Sequence, residues 1–217
     1  MGEVGNMMVG KEGLDQAIGE DLGKPVGEPL PRRRERLRDL IIEKALIIKE
    51  GAQITLASGL KSNFFFDMKT VLLSRESSNL ITAELLKKLQ GVEFNYIGGK
   101  ESGAIPIVAL ICANSAEIGK DIEGFFVRKE PKGHGERKSG INNKIDGNLK
   151  DNTKVVIVDD VTTTGDSILD AINEVKKIGC TVVKVITIVD RCQGADEKLA
   201  NLGLELDSLF TARDFGL

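Results

Sequence analysis

The densest run of ligand-binding side chains in this 217-residue chain is Asp159-Asp160-Val161-Thr162-Thr163-Thr164-Gly165-Asp166-Ser167. Two adjacent carboxylates can accept hydrogen bonds from neighbouring hydroxyls, as on a ribose. The threonine and serine hydroxyls add donors, and Gly165 lets the backbone come close to a ligand. A helix entering at Asp166 or Ser167 would aim unpaired N–H groups and the positive end of its dipole at the same place. Such a turn seats a phosphate monoester. The simplest ligand with both needs is a ribose 5-phosphate moiety. An ordinary strand end with a helix cap requires far fewer of these groups. The glycine patterns of a Walker A loop and of a dinucleotide fingerprint are both absent from the turn.

Three further stretches could join it. Arg128, Lys129, Lys132 and His134 put three cations and the one histidine of the chain into a short segment. That arrangement suits a polyanion such as pyrophosphate, whose charge grows as it leaves, although solvated charge runs are the commoner fate of lysine-rich loops. Gly98-Gly99-Lys100-Glu101-Ser102-Gly103 brings backbone N–H groups together as an anion nest would. A plain strand-to-helix turn could have the same composition. Arg191 follows Val189-Asp190 and reads equally as a strand-end salt bridge or as a ligand counter-charge. Phe64, Phe65 and Phe66 cannot all face one way on a strand, so at least one belongs to the core.

The elements that must hold these residues alternate between strand and helix. Val155 to Val158 is a β-branched run of the kind buried on both faces of a parallel sheet. Ile168, Leu169, Ile172 and Val175 then recur with helical spacing. The spacing predicts a helix from Pro31 to about Glu50, with Leu37, Leu40, Ile41, Lys44, Ala45 and Ile48 on one face. Its basic first turns oppose the helix dipole and fit a solvated or partner-facing surface. A hairpin is predicted across 51–67 with its turn at Ser58-Gly59. Helices follow over 75–90 and 104–114, the second with Pro106 in its first turn, where proline is tolerated. Further strands are expected at 94–97, 124–128, 181–189 and 205–211, with a short helix near 196–202. Segment 129–140 offers no apolar anchor and reads as a mobile loop. The fold class is therefore α/β: a mostly parallel sheet with helices on both faces and a small N-terminal hood formed by about 51–70. Residues 1–30 read as a flexible tail, and 31–217 as a single domain. Ligands of such sheets bind beyond the carboxyl ends of the strands, where all four polar turns fall.

Composition narrows the class. Hydrophobic residues make up 41% and charged ones 29%, as in ordinary globular chains, and the net charge of −3 gives no pull toward nucleic acid. No apolar run approaches a membrane span and no signal peptide is visible, so neither membrane nor nucleic acid is expected as a partner. Cys112, Cys180 and Cys192 have no metal-knuckle or redox spacing, which fits a reducing cytoplasm.

The run from Asp159 to Ser167 closely resembles the signature of the type I phosphoribosyltransferases, which bind phosphoribosyl pyrophosphate (PRPP). The hairpin run Ile54-Thr-Leu-Ala-Ser-Gly-Leu-Lys-Ser62-x-Phe-Phe65-Phe66, the basic segment 128–135, that signature and Val189-Asp190-Arg191 occur in this order. Together they resemble the orotate phosphoribosyltransferase family over about residues 36–210. The resemblance implies transfer of phosphoribosyl from PRPP to orotate, giving orotidine 5′-monophosphate and pyrophosphate in de novo pyrimidine (UMP) biosynthesis. It implies that Asp159 and Asp160 hold the ribose hydroxyls and that Val161, Thr162, Thr163, Thr164, Gly165, Asp166 and Ser167 wrap the 5-phosphate. Thr163 and Arg191 would contact orotate, with Phe65 and Phe66 against the pyrimidine. Ser102 and Gly103 would touch PRPP. Arg128, Lys132 and His134 would act on pyrophosphate in a neighbouring subunit's site and Lys129 in its own, so a homodimer with shared active sites is expected. Mg²⁺ would be bound mainly through PRPP oxygens and water.

This chain departs from some members of that family in two places. Ala57 and Gly103 stand where those members carry lysines that touch PRPP. Two rival readings share the scaffold: a phosphoribosyltransferase for a purine or other base, and a non-catalytic PRPP-sensing regulator. Arg191 and the phenylalanine hood favour orotate over the first. The basic segment, which a sensor does not need, argues against the second.

Overall fold

The computed structural model describes residues 30–49, 51, 53–56, 59–131 and 144–217. Helix α1 (Leu30–Lys44) leads into a small hood built from β1 (Leu46–Ile48), β2 (Ile54–Thr55), β3 (Lys61–Ser62) and β4 (Phe64–Phe66). Helices α2 (Lys69–Leu72) and α3 (Arg75–Leu89) follow. The main layer then alternates: β5 (Tyr96–Lys100), α4 (Ala104–Asn114), β6 (Glu123–Val127), β7 (Ile145–Gly147), β8 (Lys154–Thr162), α5 (Asp166–Lys176), β9 (Thr181–Asp190), α6 (Ala195–Ala200) and β10 (Leu206–Thr211). The last six strands form one sheet in the order β10-β9-β8-β5-β6-β7. All neighbours run parallel except β7, which closes the edge antiparallel to β6.

The period-two alternation of β8 divides the interior into two cores. Val156 and Val158 join Leu85, Leu89, Ile107 and Ile111 on one face. Val155 and Ile157 join Ile168, Ile172 and Val175 on the other. Each of these buried aliphatic side chains contributes roughly 1.5–3 kcal/mol by leaving water. With both faces apolar, β8 has no choice but the centre of the sheet, and its carboxyl end is fixed relative to its neighbours.

Several elements differ from the sequence reading. The first helix ends at Lys44, not near Glu50, because Leu46–Ile48 pairs with Phe64–Phe66 as an antiparallel strand. Lys44 and Ile48, expected on the apolar face, are exposed, while Leu37, Leu40, Ile41 and Ala45 are buried. Gly98 and Gly99, read as a turn, lie within β5 and pair with Phe125 and Phe126. A Cβ on Gly98 would enter the Phe125 ring and one on Gly99 would strike the Val158 carbonyl, so these glycines serve close strand packing. Strand β8 continues past Val158 because β9 pairs with it as far as Thr162↔Asp190. Strand β7 and the single-turn helix α2 carry too little periodicity to be foreseen.

The hairpin is present, with Ile54↔Ser62 and Thr55↔Lys61 pairs. Helix α4 has the expected bounds. The basic start of α1 is partly engaged inside the molecule: Arg36 forms a two-pronged pair with Glu76 of α3 at 2.7 and 3.1 Å, and Arg34 lies over the Phe210 ring. The tail, and the segment that holds Lys132 and His134, lie outside the described residues, as do Ala57 and Ser58. Among the described residues no helix is long and apolar enough to cross a membrane.

Candidate active site

The carboxyl ends of β5, β8 and β9 meet at one place. Asp159 is buried, and its Oδ1 accepts the Asp160 N–H at 3.1 Å. Asp160 Oδ1 in turn accepts the Val161 N–H at 2.9 Å. Burial, and then the charge of Asp160, hold the Asp159 carboxyl well above the usual carboxylate range. Burial also raises Asp160. Two desolvated carboxyls in sequence are ready to gain from hydroxyl donors, which would return them to the charged form. Gly103, at the mouth of α4, lies directly against this pair: a Cβ there would collide with the Asp160 carboxylate. A longer side chain at 103 therefore competes with Asp160 for space, which accounts physically for glycine at this position.

Past Thr162 the backbone turns in three residues. Gly165 sits at φ 78°, in the left-handed region, and α5 begins at Asp166 without a side-chain cap. The first N–H groups of α5 thus face the mouth of the turn, with Thr163 and Ser167 at its rim. Asp166 points sideways. It accepts from Thr164 Oγ1 at 2.7 Å and pairs with Lys198 at 2.5 Å, contacts that hold its carboxyl below the usual range. The Thr162 side chain is buried, and its Oγ1 has no hydrogen-bond partner among the described residues.

Arg191 closes the other side. Its N–H donates to the Thr162 carbonyl at 2.9 Å, joining the ends of β8 and β9. The residue is 4% exposed. Its guanidinium lies over the Phe64 ring at 4.0 Å, donates to Ser62 Oγ at 2.8 Å and reaches the Phe64 carbonyl at 3.3 Å. Its Nε has no partner among the described residues. Among the described residues no carboxylate pairs with it, and burial lowers its pKa. The described residues therefore give the salt-bridge alternative no support. A buried guanidinium without a counter-charge is costly unless an anion arrives.

Strand alternation decides the hood phenylalanines. Phe65 is 37% exposed, whereas Phe66 is 3% exposed and packs on Phe215 at 5.1 Å. Phe66 is a core residue, so its expected place against a pyrimidine is corrected. The aromatic that touches Arg191 is Phe64, which composition gave no reason to single out.

Of the basic segment, Arg128 and Lys129 are described, just past the end of β6. Arg128 pairs with Asp146 of β7 at 3.1 Å, and the Lys129 N–H donates to Glu101 at 2.7 Å. Both line a cavity of about 410 Å³ on the α5 side, together with Lys100, Asp170, Glu174 and Lys177. Lys100 is ion-paired with Asp170. Ser102 lies in the turn between β5 and α4, after a cis Glu101–Ser102 peptide. Among the described residues no three His, Cys, Asp or Glu side chains are grouped around a metal position. The donor set at the site is the Asp159-Asp160 pair, which fits a hard divalent ion carried in on a ligand's own oxygens. Ser62 is a further residue to which sequence patterns gave no role of its own, whereas Lys100 already stood in the glycine-rich run 98–103. The one hint for Ser62 was its place in the hairpin motif, two residues before Phe64.

Comparison with known proteins agrees with this geometry. The phosphoribosyl transferase domain family matches residues 99–203. An orotate phosphoribosyltransferase of Rhodopseudomonas palustris (strain TIE-1) is 40% identical over 182 residues, covering 84% of this chain and 95% of the relative. One from Rhodopirellula baltica is 41% identical over 189 residues, covering 83% and 95%. The crystal structure of Mycobacterium tuberculosis orotate phosphoribosyltransferase in complex with PRPP superposes with a TM-score of 0.68 at 29% identity, over 85% of this chain and 99% of that one.

Proposed function

The chain belongs to the orotate phosphoribosyltransferase family, and from that premise we propose how its residues carry phosphoribosyl from PRPP to N1 of orotate, giving orotidine 5′-monophosphate and pyrophosphate in de novo pyrimidine synthesis. The observation that supports this most is the meeting of an acidic pair with Asp159 buried, a helix-start turn and a buried arginine without a counter-charge among the described residues, at the ends of β8 and β9. Asp159 and Asp160 accept the ribose hydroxyls, and the N–H groups and hydroxyls from Val161 to Ser167 enclose the 5-phosphate. Ser102 and Gly103 border PRPP. Arg191 takes the orotate carboxylate, while Thr163 and Phe65 border the ring.

The sugar carbon passes through an oxocarbenium-like state, so the protein's work is to orient two substrates, exclude water and neutralise the leaving group. Lys132, His134 and Arg128 serve the departing pyrophosphate from a neighbouring subunit, and Lys129 serves its own site. Asp159 and Asp160 would lie next to a Mg²⁺ held mainly through PRPP oxygens, which would supply further neutralisation of the leaving charge. Cytoplasmic localisation and a homodimer complete the reading.

The test is release of pyrophosphate from PRPP with orotate, uracil, adenine and hypoxanthine side by side, with and without Mg²⁺. Release should require orotate and Mg²⁺ together. Faster release with a purine would reassign the base, and PRPP binding without release would make the protein a sensor.

A further inference from the structure

Arg191 can recognise a carboxylate only if its guanidinium is already aimed, and the described residues hold it by one side-chain hydrogen bond. Ser62, on β3 of the hood, accepts that bond from Nη2 at 2.8 Å. The same Oγ accepts the Phe64 N–H at 3.1 Å, which locks the hydroxyl in place and sets the strand that carries the Phe64 ring under the guanidinium. Ser62 is itself buried. With both lone pairs engaged by N–H donors, its hydroxyl proton remains available to an acceptor. Nε, which shares the Nη2 edge of the guanidinium, is buried and unpartnered among the described residues.

We infer that Ser62 is a positioning residue that fixes the Arg191 guanidinium for the carboxylate of the pyrimidine, so that the hood, and not the sheet alone, sets selectivity for a carboxylated base. This rests on the proposed reaction. Arg191 is attached to the end of β9, but its charge is oriented from β3, some 130 residues earlier in sequence. Preorganisation of this kind lowers the ordering cost of binding and separates ligands that differ by one charged group.

Two nucleotides isolate that group: orotidine 5′-monophosphate and uridine 5′-monophosphate differ only by the carboxylate. Titration calorimetry on the full-length wild type, Ser62→Ala and Ser62→Thr supplies the readout, with steady-state KM for orotate and PRPP alongside. Ser62→Ala should weaken orotidine 5′-monophosphate by about tenfold, the equivalent of one hydrogen bond to a charged group. It should leave uridine 5′-monophosphate and the KM for PRPP nearly unchanged. Ser62→Thr, which keeps the hydroxyl, should recover most of the loss. Equal losses for both nucleotides would mean that Ser62 merely supports the hood, and no loss for either would mean that Arg191 is aimed without it; both overturn the inference. A wild type that binds the two nucleotides equally would instead overturn the carboxylate role of Arg191, and with it the proposed base.

Discussion

Asp159 is held in the folded chain under conditions that a carboxylate resists. It is buried, next to a second carboxylate, and its proton is therefore retained to higher pH than in the unfolded chain. Between the ordinary carboxylate range and that raised value the folded state binds more protons than the unfolded one, so stability falls as pH rises through the window. Below the ordinary range both states are protonated and the loss is absent. Asp159→Asn keeps an oxygen to accept the Asp160 N–H while removing the charge. Its melting temperature should exceed that of the ligand-free wild type at neutral pH, and the difference should grow as pH rises above the ordinary carboxylate range at about 4. Turnover should fall by about a hundredfold at every pH, because the charged acceptor for a ribose hydroxyl is gone. Melting curves across pH on both proteins, paired with the pyrophosphate assay, check this. A stability difference that does not vary with pH would show that Asp159 ionises as it does in the open chain.

At the scale of elements, an inward-facing side chain ties the hood to the body of the chain. Phe66 packs with Phe64 at 5.9 Å and with Phe215 at 5.1 Å, tying β4 to the C-terminal turn. Phe66→Ala should cost about 3–5 kcal/mol, as large aromatic truncations in cores do. Phe65→Ala, one residue away and facing out, should change stability by no more than about 0.5 kcal/mol while raising the KM for orotate. Denaturant unfolding of the two variants separates them; equal stability losses would refute the alternation. The same strand shows where sequence stops being legible. The signature from Asp159 to Ser167 was readable because its chemistry is local: buried strand, acidic pair, glycine at φ 78°, helix start. The ends of α1 and β5 were not. They are set by partners far along the chain, Phe64–Phe66 for β1 and Phe125–Val127 for Gly98–Lys100. For Arg191, spacing within β9 could not separate ion pair from ligand contact, because its neighbours Ser62 and Phe64 come from the distant hood.

At the scale of the whole molecule, the described residues of one chain bring the proposed ribose-phosphate seat and the proposed carboxylate seat together, while Arg128, at the start of the basic segment, pairs with Asp146. The proposed reaction needs cations on the leaving pyrophosphate, and a second subunit is their proposed source. That arrangement has an arithmetic consequence. Lys132→Ala leaves the sugar seat of its own chain intact but disables its neighbour, whereas Asp160→Asn disables its own seat and leaves Lys132 able to serve across. Each variant alone should be strongly impaired. When the two are mixed in equal amounts and allowed to exchange subunits, half of the dimers are hybrids, and one of the two sites in each hybrid combines an intact seat with an intact lysine. Activity should recover to about a quarter of the wild-type value. The measurement is the pyrophosphate assay before and after exchange, with the mass of the assembly followed in parallel. If Lys132 serves the chain that carries it, each hybrid contains one site lacking the lysine and one lacking the carboxylate. Mixing would then restore nothing, even with complete exchange.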